Sequence, residues 1–414
     1  MAILQFNTSK KVLCGEINLP ASKSISNRAL ILKHIANDSF SILNQSLAED
    51  SILLDKILSN FSLLKDKSAT QEIFVDNAGT AMRFLTSLLS IKKGNWLLSG
   101  SDRMKERPIA GLVDALNQIG ATISYTENKG FPPLFIKGKT LKGGILSIEA
   151  NTSSQFITSV LLIAAFLENG LAINLMGETV SKPYIIMTLK ILKYFGITYT
   201  QSENGIHISH QVFCPKDIYI ESDWSAASYW YEMASFADSV DLKLNGLTNS
   251  GWQGDAIIVE LFNELGVKSE FLKDGVRLTK TQISAQNLSY DFSDFPDIAP
   301  SIAVCCAGLG IQAKLKGLEG LKIKESNRLT ALEKELNKIN CHTIIDNDNT
   351  LLIVPSKIKA NAPIFTYNDH RMAMSFAPLA IILGKLDFDN IDVVKKSYPG
   401  FWEDLQNVGF ALTE

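Results

Sequence analysis

Apolar positions along the chain follow two periods, and the places where one gives way to the other repeat. In Leu112-Val113-Asp114-Ala115-Leu116-Asn117-Gln118-Ile119 the apolar residues recur at helical spacing, Gly120 stops the helix, and Ala121-Thr122-Ile123 continues as a strand. The same sequence of helix, stop and strand returns over residues 189–198 through Gly196, 258–269 through Gly266 and 401–412 through Gly409. A weaker copy over 329–343 has Asn340 at the stop, the usual substitute for glycine where a helix ends in a left-handed residue. A sixth, over 52–75, lacks the glycine. The copies fall roughly 70 residues apart, too long for a solenoid and suited to a compact βαβ-type unit repeated within domains.

Six units suggest three per domain, and a chain of 414 residues exceeds one ordinary core. Polar stretches at 19–22 and 220–223 are the expected boundaries. They leave one lobe over 22–222 and another made of 1–21 plus 223–414, completed by the N-terminal strand. The short run Asp346-Asn347-Asp348-Asn349 reads as a hairpin turn.

The polar residues that interrupt these patterns gather ahead of helices. Pro20-Ala21-Ser22-Lys23-Ser24-Ile25-Ser26-Asn27-Arg28 packs two cations, three hydroxyls and an amide into a turn that opens a helix, with Ser22 or Ser24 as N-cap. The free N–H groups and dipole end of such a helix face the same point as Lys23 and Arg28, which outlines an anion site. Asp76-Asn77-Ala78-Gly79-Thr80-Ala81-Met82-Arg83 places a glycine where a ligand can approach the backbone. Asp102-Arg103-Met104-Lys105-Glu106-Arg107-Pro108 concentrates three cations, and Ser153-Ser154-Gln155 precedes an apolar helix. Ser181-Lys182-Pro183-Tyr184 repeats the pattern. In the second half, Asp297 stands at the edge of a run that should be buried, as an N-cap or a poised base. Lys322-Ile323-Lys324-Glu325-Ser326-Asn327-Arg328, Tyr367-Asn368-Asp369-His370-Arg371 and Lys395-Lys396 add further mixed charge. Each stretch alone reads equally as a capped, solvated helix start.

Charge and composition narrow the choice. A net charge of -3 gives no basic footprint for nucleic acid, so anion binding has to be local. Of 40 basic residues only seven are arginine, so each is a candidate for a site that needs a rigid bidentate fork. Arg277, after the turn Lys273-Asp274-Gly275, sits in a hairpin-like setting; Arg28, Arg83, Arg103, Arg107, Arg328 and Arg371 lie in dense polar stretches. Hydrophobic content of 46% with 20% charged residues is that of a soluble globular protein, with no stretch long enough to cross a bilayer and no signal peptide. A cytoplasmic location is expected. Five cysteines without C-x-x-C spacing read as reduced, mostly buried thiols. With one histidine near the carboxylates and no paired cysteine, no metal site is expected.

Taken together, the strings S-K-S-I-S-N-R, N-A-G-T-A-M-R, R-M-K-E-R-P-I, S-S-Q-F, S-K-P-Y, P-D and Y-N-D-H-R-M-A-M closely resemble the enolpyruvyl transferases, in that family's order, from Gly15 to Pro399. Within the family the likeness is to the branch that acts on shikimate 3-phosphate. The resemblance implies an α/β (α+β) fold of two similar lobes, each of three βαβαββ repeats forming an inside-out α/β barrel, with the active site in the cleft where they close. It implies transfer of the enolpyruvyl group from phosphoenolpyruvate to the 5-hydroxyl of shikimate 3-phosphate, releasing phosphate, in chorismate and aromatic amino acid biosynthesis. No cofactor is implied, nor a nucleic-acid or membrane partner, and a monomer is expected. Carried over by position, Lys23, Ser24, Arg28, Ser153, Ser154, Gln155, Ser181, Tyr184, Asp297 and Lys324 surround shikimate 3-phosphate. Phosphoenolpyruvate meets Lys23, Gly79, Arg107, Gln155, Arg328, Arg371 and Lys396, and the inhibitor glyphosate competes there. Asp297 and Glu325 are the candidates for proton transfer, with Lys23 stabilising charge.

Four positions depart from the commonest pattern of the family. Gly320 stands in place of an asparagine, Ser326-Asn327 in place of Thr-Asp, and Phe84 in place of proline. The first removes an amide that in many members of the family contacts the substrate phosphate. The nearest rival, the sister enzyme that acts on UDP-N-acetylglucosamine, uses a loop cysteine that residues 99–108 lack. A second rival, a non-catalytic phosphate-ligand binder on the same fold, is disfavoured by the presence of both Asp297 and Glu325.

Overall fold

Gly79–Ile91, Ser154–Ala164 and Ala299–Leu309 carry apolar residues on every side, and a helix without a polar face has to be enclosed. Nearly all their residues are buried, and other elements are arranged around them. The computed structural model describes residues 1–7, 10–61 and 69–413. Two compact units divide the chain. Both chain ends belong to a terminal unit (Met1–Ser22, Leu47–Glu49 and Glu221–Glu414), and Lys23–Ser46 with Asp50–Ile220 forms a middle unit. No helix among the described residues is long and apolar enough to cross a membrane.

Four four-stranded sheets share one plan. In the middle unit Thr70–Phe74 runs parallel to Gly94–Ser99, with helix Gly79–Ile91 joining them. After helix Ala110–Gln118 a hairpin of Ile123–Tyr125 and Leu134–Gly138 closes the sheet, Leu134–Gly138 lying antiparallel to Gly94–Ser99. The order strand, helix, strand, helix, hairpin recurs with Gly144–Glu149, Leu171–Met176, Thr200–Ser202 and Gly205–Ile208. In the terminal unit it recurs with Asn287–Asp291, Gln312–Lys316, His342–Asp346 and Thr350–Val354.

The stop residues do what their position requires. Gly120, Gly196, Gly266 and Gly409 have φ of 90°, 85°, 89° and 102°, and Asn340 has 66°, so each helix ends in a left-handed residue. At the 346–349 turn, Asn347 and Asp348 have φ of 48° and 62°, the geometry of a tight hairpin between twisted strands. The stretch 52–75 differs from expectation. Helix Glu49–Asn60 is followed by Thr70–Phe74, which opens a new mixed sheet as a parallel strand instead of closing a hairpin, and part of the connection lies outside the described residues.

Two sheets take their first strand from a distant part of the chain. Val12–Asn18 precedes helix Lys23–Ile35 in sequence yet pairs, parallel, with Ser239–Asn245, which follows helix Trp224–Phe236. Ile218–Tyr219 precedes Trp224–Phe236 yet pairs, parallel, with Ile42–Leu43. The two passages of chain bond to each other, Ser22 N to Glu221 O at 2.9 Å and Asp223 N to Pro20 O at 2.9 Å. Ala2–Phe6 fills a three-stranded sheet between Lys385–Phe388 and Phe410–Thr413.

Cys305, Cys306 and Cys341 are buried, whereas Cys14 and Cys214 are exposed, so the thiols are less uniformly buried than expected. Beside the first two, Glu232 is fully buried in helix Trp224–Phe236 with no hydrogen-bond partner among the described residues. Burial holds its carboxyl well above the ordinary range. An acid whose folded pKa is raised contributes full stability below its unfolded pKa and loses it as pH rises through the folded value. Glu232→Gln removes that titration. The difference in unfolding free energy, variant minus wild type, should therefore grow between pH 5 and 8 by about 1.4 kcal/mol per pH unit while Glu232 stays protonated. Urea melts at several pH values give this directly, and a difference independent of pH would contradict it.

Candidate active site

In the middle unit, four helices are linked near their N-terminal ends: Lys23–Ile35, Gly79–Ile91, Ser154–Ala164 and Lys182–Tyr194. Arg28 ties three of them. Its Nε donates to Thr188 Oγ1 at 2.8 Å, its Nη1 to Ser24 O at 2.7 Å, and its Nη2 to Tyr184 O at 3.2 Å and Thr158 Oγ1 at 3.4 Å. It stacks over the Phe84 ring at 5.6 Å, so the residue that departs from the family pattern supports this guanidinium. Every hydrogen-bond acceptor around Arg28 is neutral, and burial lowers its pKa to about 10. A buried cation with neutral partners favours the approach of an anion.

Gly79 begins its helix with no side-chain cap, leaving the first N–H groups uncapped. Arg107 lies over this turn, bonded to Asn77 Oδ1 at 3.2 Å, and a Cβ at position 79 would stand 2.5 Å from its Nη2. Gln155 Nε2 donates to Thr80 Oγ1 at 3.3 Å, which joins the 79 and 154 helix starts. Ser153 caps its helix by accepting from Gln155 N, and Ser154 is buried beside it. Ser181 takes a left-handed φ of 53° at the start of the last helix, and its carbonyl accepts from Tyr184 N. Lys23 forms a 3.1 Å ion pair with the buried Asp50.

The terminal unit gathers its candidates through carboxylates. Asp297 Oδ2 meets Arg371 Nη2 at 2.8 Å, while its Oδ1 stands 3.5 Å from both Lys324 Nζ and Arg328 Nη1. Burial pushes its carboxyl up, but Arg371, Lys324 and Arg328 outweigh that and hold it far below the usual carboxylate range. Arg328, 1% exposed, donates to Glu325 Oε2 at 2.6 Å and grips Asp369 with Nε at 2.7 Å and Nη2 at 3.1 Å. Asp369 also accepts from Ser326 Oγ and caps helix His370–Phe376 through Arg371 N. Asn327 caps Arg328–Lys338, so both residues of the departing Ser-Asn pair make structural bonds here. Lys396 lies on the turn Asp392–Lys396, which packs on helix His370–Phe376. His370 is buried 3.7 Å from Asp369. Among the described residues no cluster of three potential metal ligands occurs.

Scarcity of arginine separated the sites only in part. Arg277 is an exposed partner of Asp241, as its hairpin setting suggested, but Arg103 is only half-buried and also pairs with a carboxylate, Glu106, one helical turn away. Arg83 is buried with neutral partners, Pro108 O at 2.9 Å and Gly79 O at 3.4 Å, and fastens the 102–108 loop. The sequence reading gave no role to Asp369, Tyr229 or Asp255. Tyr229 meets Arg371 Nη1 at 3.4 Å, and burial pushes its hydroxyl up to about 12. Asp255, bonded to Ser225, is pushed up to about 7 by burial and by the charge of Asp297. Of these only Asp369 left a local signal, a carboxylate immediately ahead of a helix. Gly320 has open space where a side chain would project.

Comparison with known proteins bears on the family and the fold. The chain is 42% identical over 399 residues to the 3-phosphoshikimate 1-carboxyvinyltransferase of Bacteroides fragilis, covering 96% of this chain and 95% of that one. It is 36% identical to that of Psychromonas ingrahamii, covering 95% and 96%. Among solved structures, an EPSP synthase from Acinetobacter baumannii superimposes with a TM-score of 0.75 at 19% identity over the full length of both chains. The enolpyruvyl transferase NikO from Streptomyces tendae does so with 0.74 at 16%, covering 100% and 98%. At these identities the two structures speak to fold alone. Residues 8–405 match the family described as EPSP synthase (3-phosphoshikimate 1-carboxyvinyltransferase), and the chain belongs to that family.

Proposed function

We infer that the chain transfers the enolpyruvyl group of phosphoenolpyruvate to the 5-hydroxyl of shikimate 3-phosphate, releasing phosphate on the route to chorismate and the aromatic amino acids. The observation that carries this reading is the Asp297 centre, where Lys324, Arg328 and Arg371 are each already turned toward a carboxylate. The two substrates bring two phosphates and two carboxylates. Arg107, Arg328, Arg371, Lys396, Lys23, Gly79 and Gln155 receive phosphoenolpyruvate in this reading. Arg28, Lys23, Ser24, Ser153, Ser154, Gln155, Ser181, Tyr184, Asp297 and Lys324 receive shikimate 3-phosphate.

The chemistry has two stages. The hydroxyl oxygen bonds to C2 of phosphoenolpyruvate as C3 takes a proton, forming a tetrahedral intermediate. The bond from C2 to the phosphate oxygen then breaks with its electron pair, and the new methyl group returns a proton to restore the double bond. Asp297 is ionised in the free protein, so it is ready to accept the hydroxyl proton but is a weak base while three cations face it. Substrate anions that share those cations raise its proton affinity when the hydroxyl arrives. The same competition for Arg328 loosens its hold on Glu325, and a carboxylate that loses a cationic partner takes up a proton more readily. Glu325 serves C3, and Lys23 stabilises the developing charge. Both substrates are water-soluble metabolites, and the reading places the enzyme in the cytoplasm as a monomer.

Glu325→Gln keeps shape and removes the titrating group, so turnover in a phosphate-release assay should fall at least ~10²-fold with phosphoenolpyruvate binding largely kept. Near-normal turnover would remove Glu325 from the mechanism. Arg107→Lys replaces a planar fork by a point charge and should lower kcat/KM for phosphoenolpyruvate roughly 10- to 100-fold with little change in Tm. Gly79→Ala, which displaces the Arg107 guanidinium, should raise KM for phosphoenolpyruvate and also raise the glyphosate concentration needed for inhibition. Arg277→Lys should change nothing; an equal loss there would show that the effect at Arg107 is unspecific.

A further inference from the structure

The segment that delivers Arg371 is held along its length by one helix. Lys338 Nζ, near the end of helix Arg328–Lys338, donates to Pro363 O at 2.7 Å and lies 4.1 Å over the Phe365 ring. Glu335, fully buried on the same helix, accepts from Phe365 N at 3.0 Å and from the Tyr367 hydroxyl at 2.7 Å, and pairs with Lys338 at 2.5 Å. Seven residues earlier, on the same face, Arg328 grips Asp369. Alternate residues 363, 365, 367 and 369 are thus fixed by a single rigid element.

Between the last two of these holds the backbone is strained. Tyr367 and Asn368 have φ of 55° and 54°, successive side-chain-bearing residues in the left-handed region. Such conformations persist where surroundings over-determine them, and they gather where geometry serves function. Here the reversal sets the start of helix His370–Phe376, where Asp369 caps Arg371 N and Arg371 turns its guanidinium to Asp297. Phe365 N, the Tyr367 hydroxyl and Lys338 Nζ together satisfy a carboxylate that would otherwise be costly to bury.

We propose that Glu335 and Tyr367 are positioning residues for the anion-binding pair Arg328 and Arg371. The buried bond from the Tyr367 hydroxyl to Glu335 fixes the reversed turn, and with it the register of the two guanidiniums that receive phosphoenolpyruvate. Neither residue touches substrate. The inference rests on the functional reading above, because it is the phosphoenolpyruvate anion that detects a misplaced fork.

Tyr367→Phe removes one hydroxyl and keeps the ring. At a temperature well below unfolding, its KM for phosphoenolpyruvate should rise about 10-fold, with kcat within about 3-fold of wild type and KM for shikimate 3-phosphate unmoved. Glu335→Gln, which keeps an acceptor for the phenol but not the charge, should shift the same constant by a smaller factor. Adding Tyr367→Phe to Arg371→Lys should cost less affinity than the two single changes summed, since one of the two positioned residues has already lost its fork. A Tyr367→Phe variant with lowered Tm but unchanged KM for phosphoenolpyruvate would reduce the contact to plain stability and overturn the proposal. So would strictly additive losses in the double variant. A wild-type enzyme that releases no phosphate from phosphoenolpyruvate would instead overturn the functional reading itself.

Discussion

A guanidinium withdrawn from water has to be met by opposite charge or by a full set of acceptors, and that requirement organises both units. The terminal unit meets it with charge. Lys324, Arg328 and Arg371 are interleaved with Asp297, Glu325 and Asp369, so in the proposed reaction the protein carries its own stand-ins for the substrate anions. The middle unit meets it with dipoles at Arg28, whose partners are two carbonyls and two hydroxyls. The first arrangement makes substrate binding an exchange of partners. The second leaves positive potential to which an anion is added.

Exchange links binding to proton transfer. In the proposed reaction the cations that hold Asp297 ionised are the ones assigned to phosphoenolpyruvate and shikimate 3-phosphate, so on that reading its basicity appears only when substrate is present. Asp369 stands apart from this exchange. Fully buried and bonded to Arg328, Ser326 and its own helix start, it holds Arg328 independently of Glu325 and Asp297.

What was legible in the sequence was local. Gly120 and Asn340 announced helix stops, and the Asp-Asn run announced a hairpin, because a left-handed residue constrains composition wherever the fold places it. The starts of helices at Lys23, Gly79, Ser154 and Lys182 were visible as polar clusters ahead of apolar periodicity. Partnerships across the chain were not. Nothing near Arg103 distinguished it from Arg107, yet one pairs with a neighbouring carboxylate at the surface while the other turns inward over Gly79. Glu335 looked like any acidic residue on an amphipathic helix, since its burial depends on Tyr367, more than thirty residues away. The sequence assigns residues 1–21 to the second lobe, but the specific pairing of Val12–Asn18 with Ser239–Asn245 was not legible, because nothing in either strand singles out its partner.

The exchange of first strands bears on how the chain is made. As the ribosome releases it from the N-terminus, Ala2–Phe6 and Val12–Asn18 emerge first, but their partners begin at Ser239 and Lys385. The middle unit, by contrast, has every strand in hand once Tyr219 is out. Synthesis at about 5–20 residues per second then leaves the first two strands without partners for on the order of ten seconds or more, while every strand of the middle unit is already made. Their unpaired edges are open to chaperones and to the same segment of neighbouring chains during that interval. Closure of the terminal unit, whose contacts span almost the full sequence, is thereby the step on which a successful birth of the molecule depends.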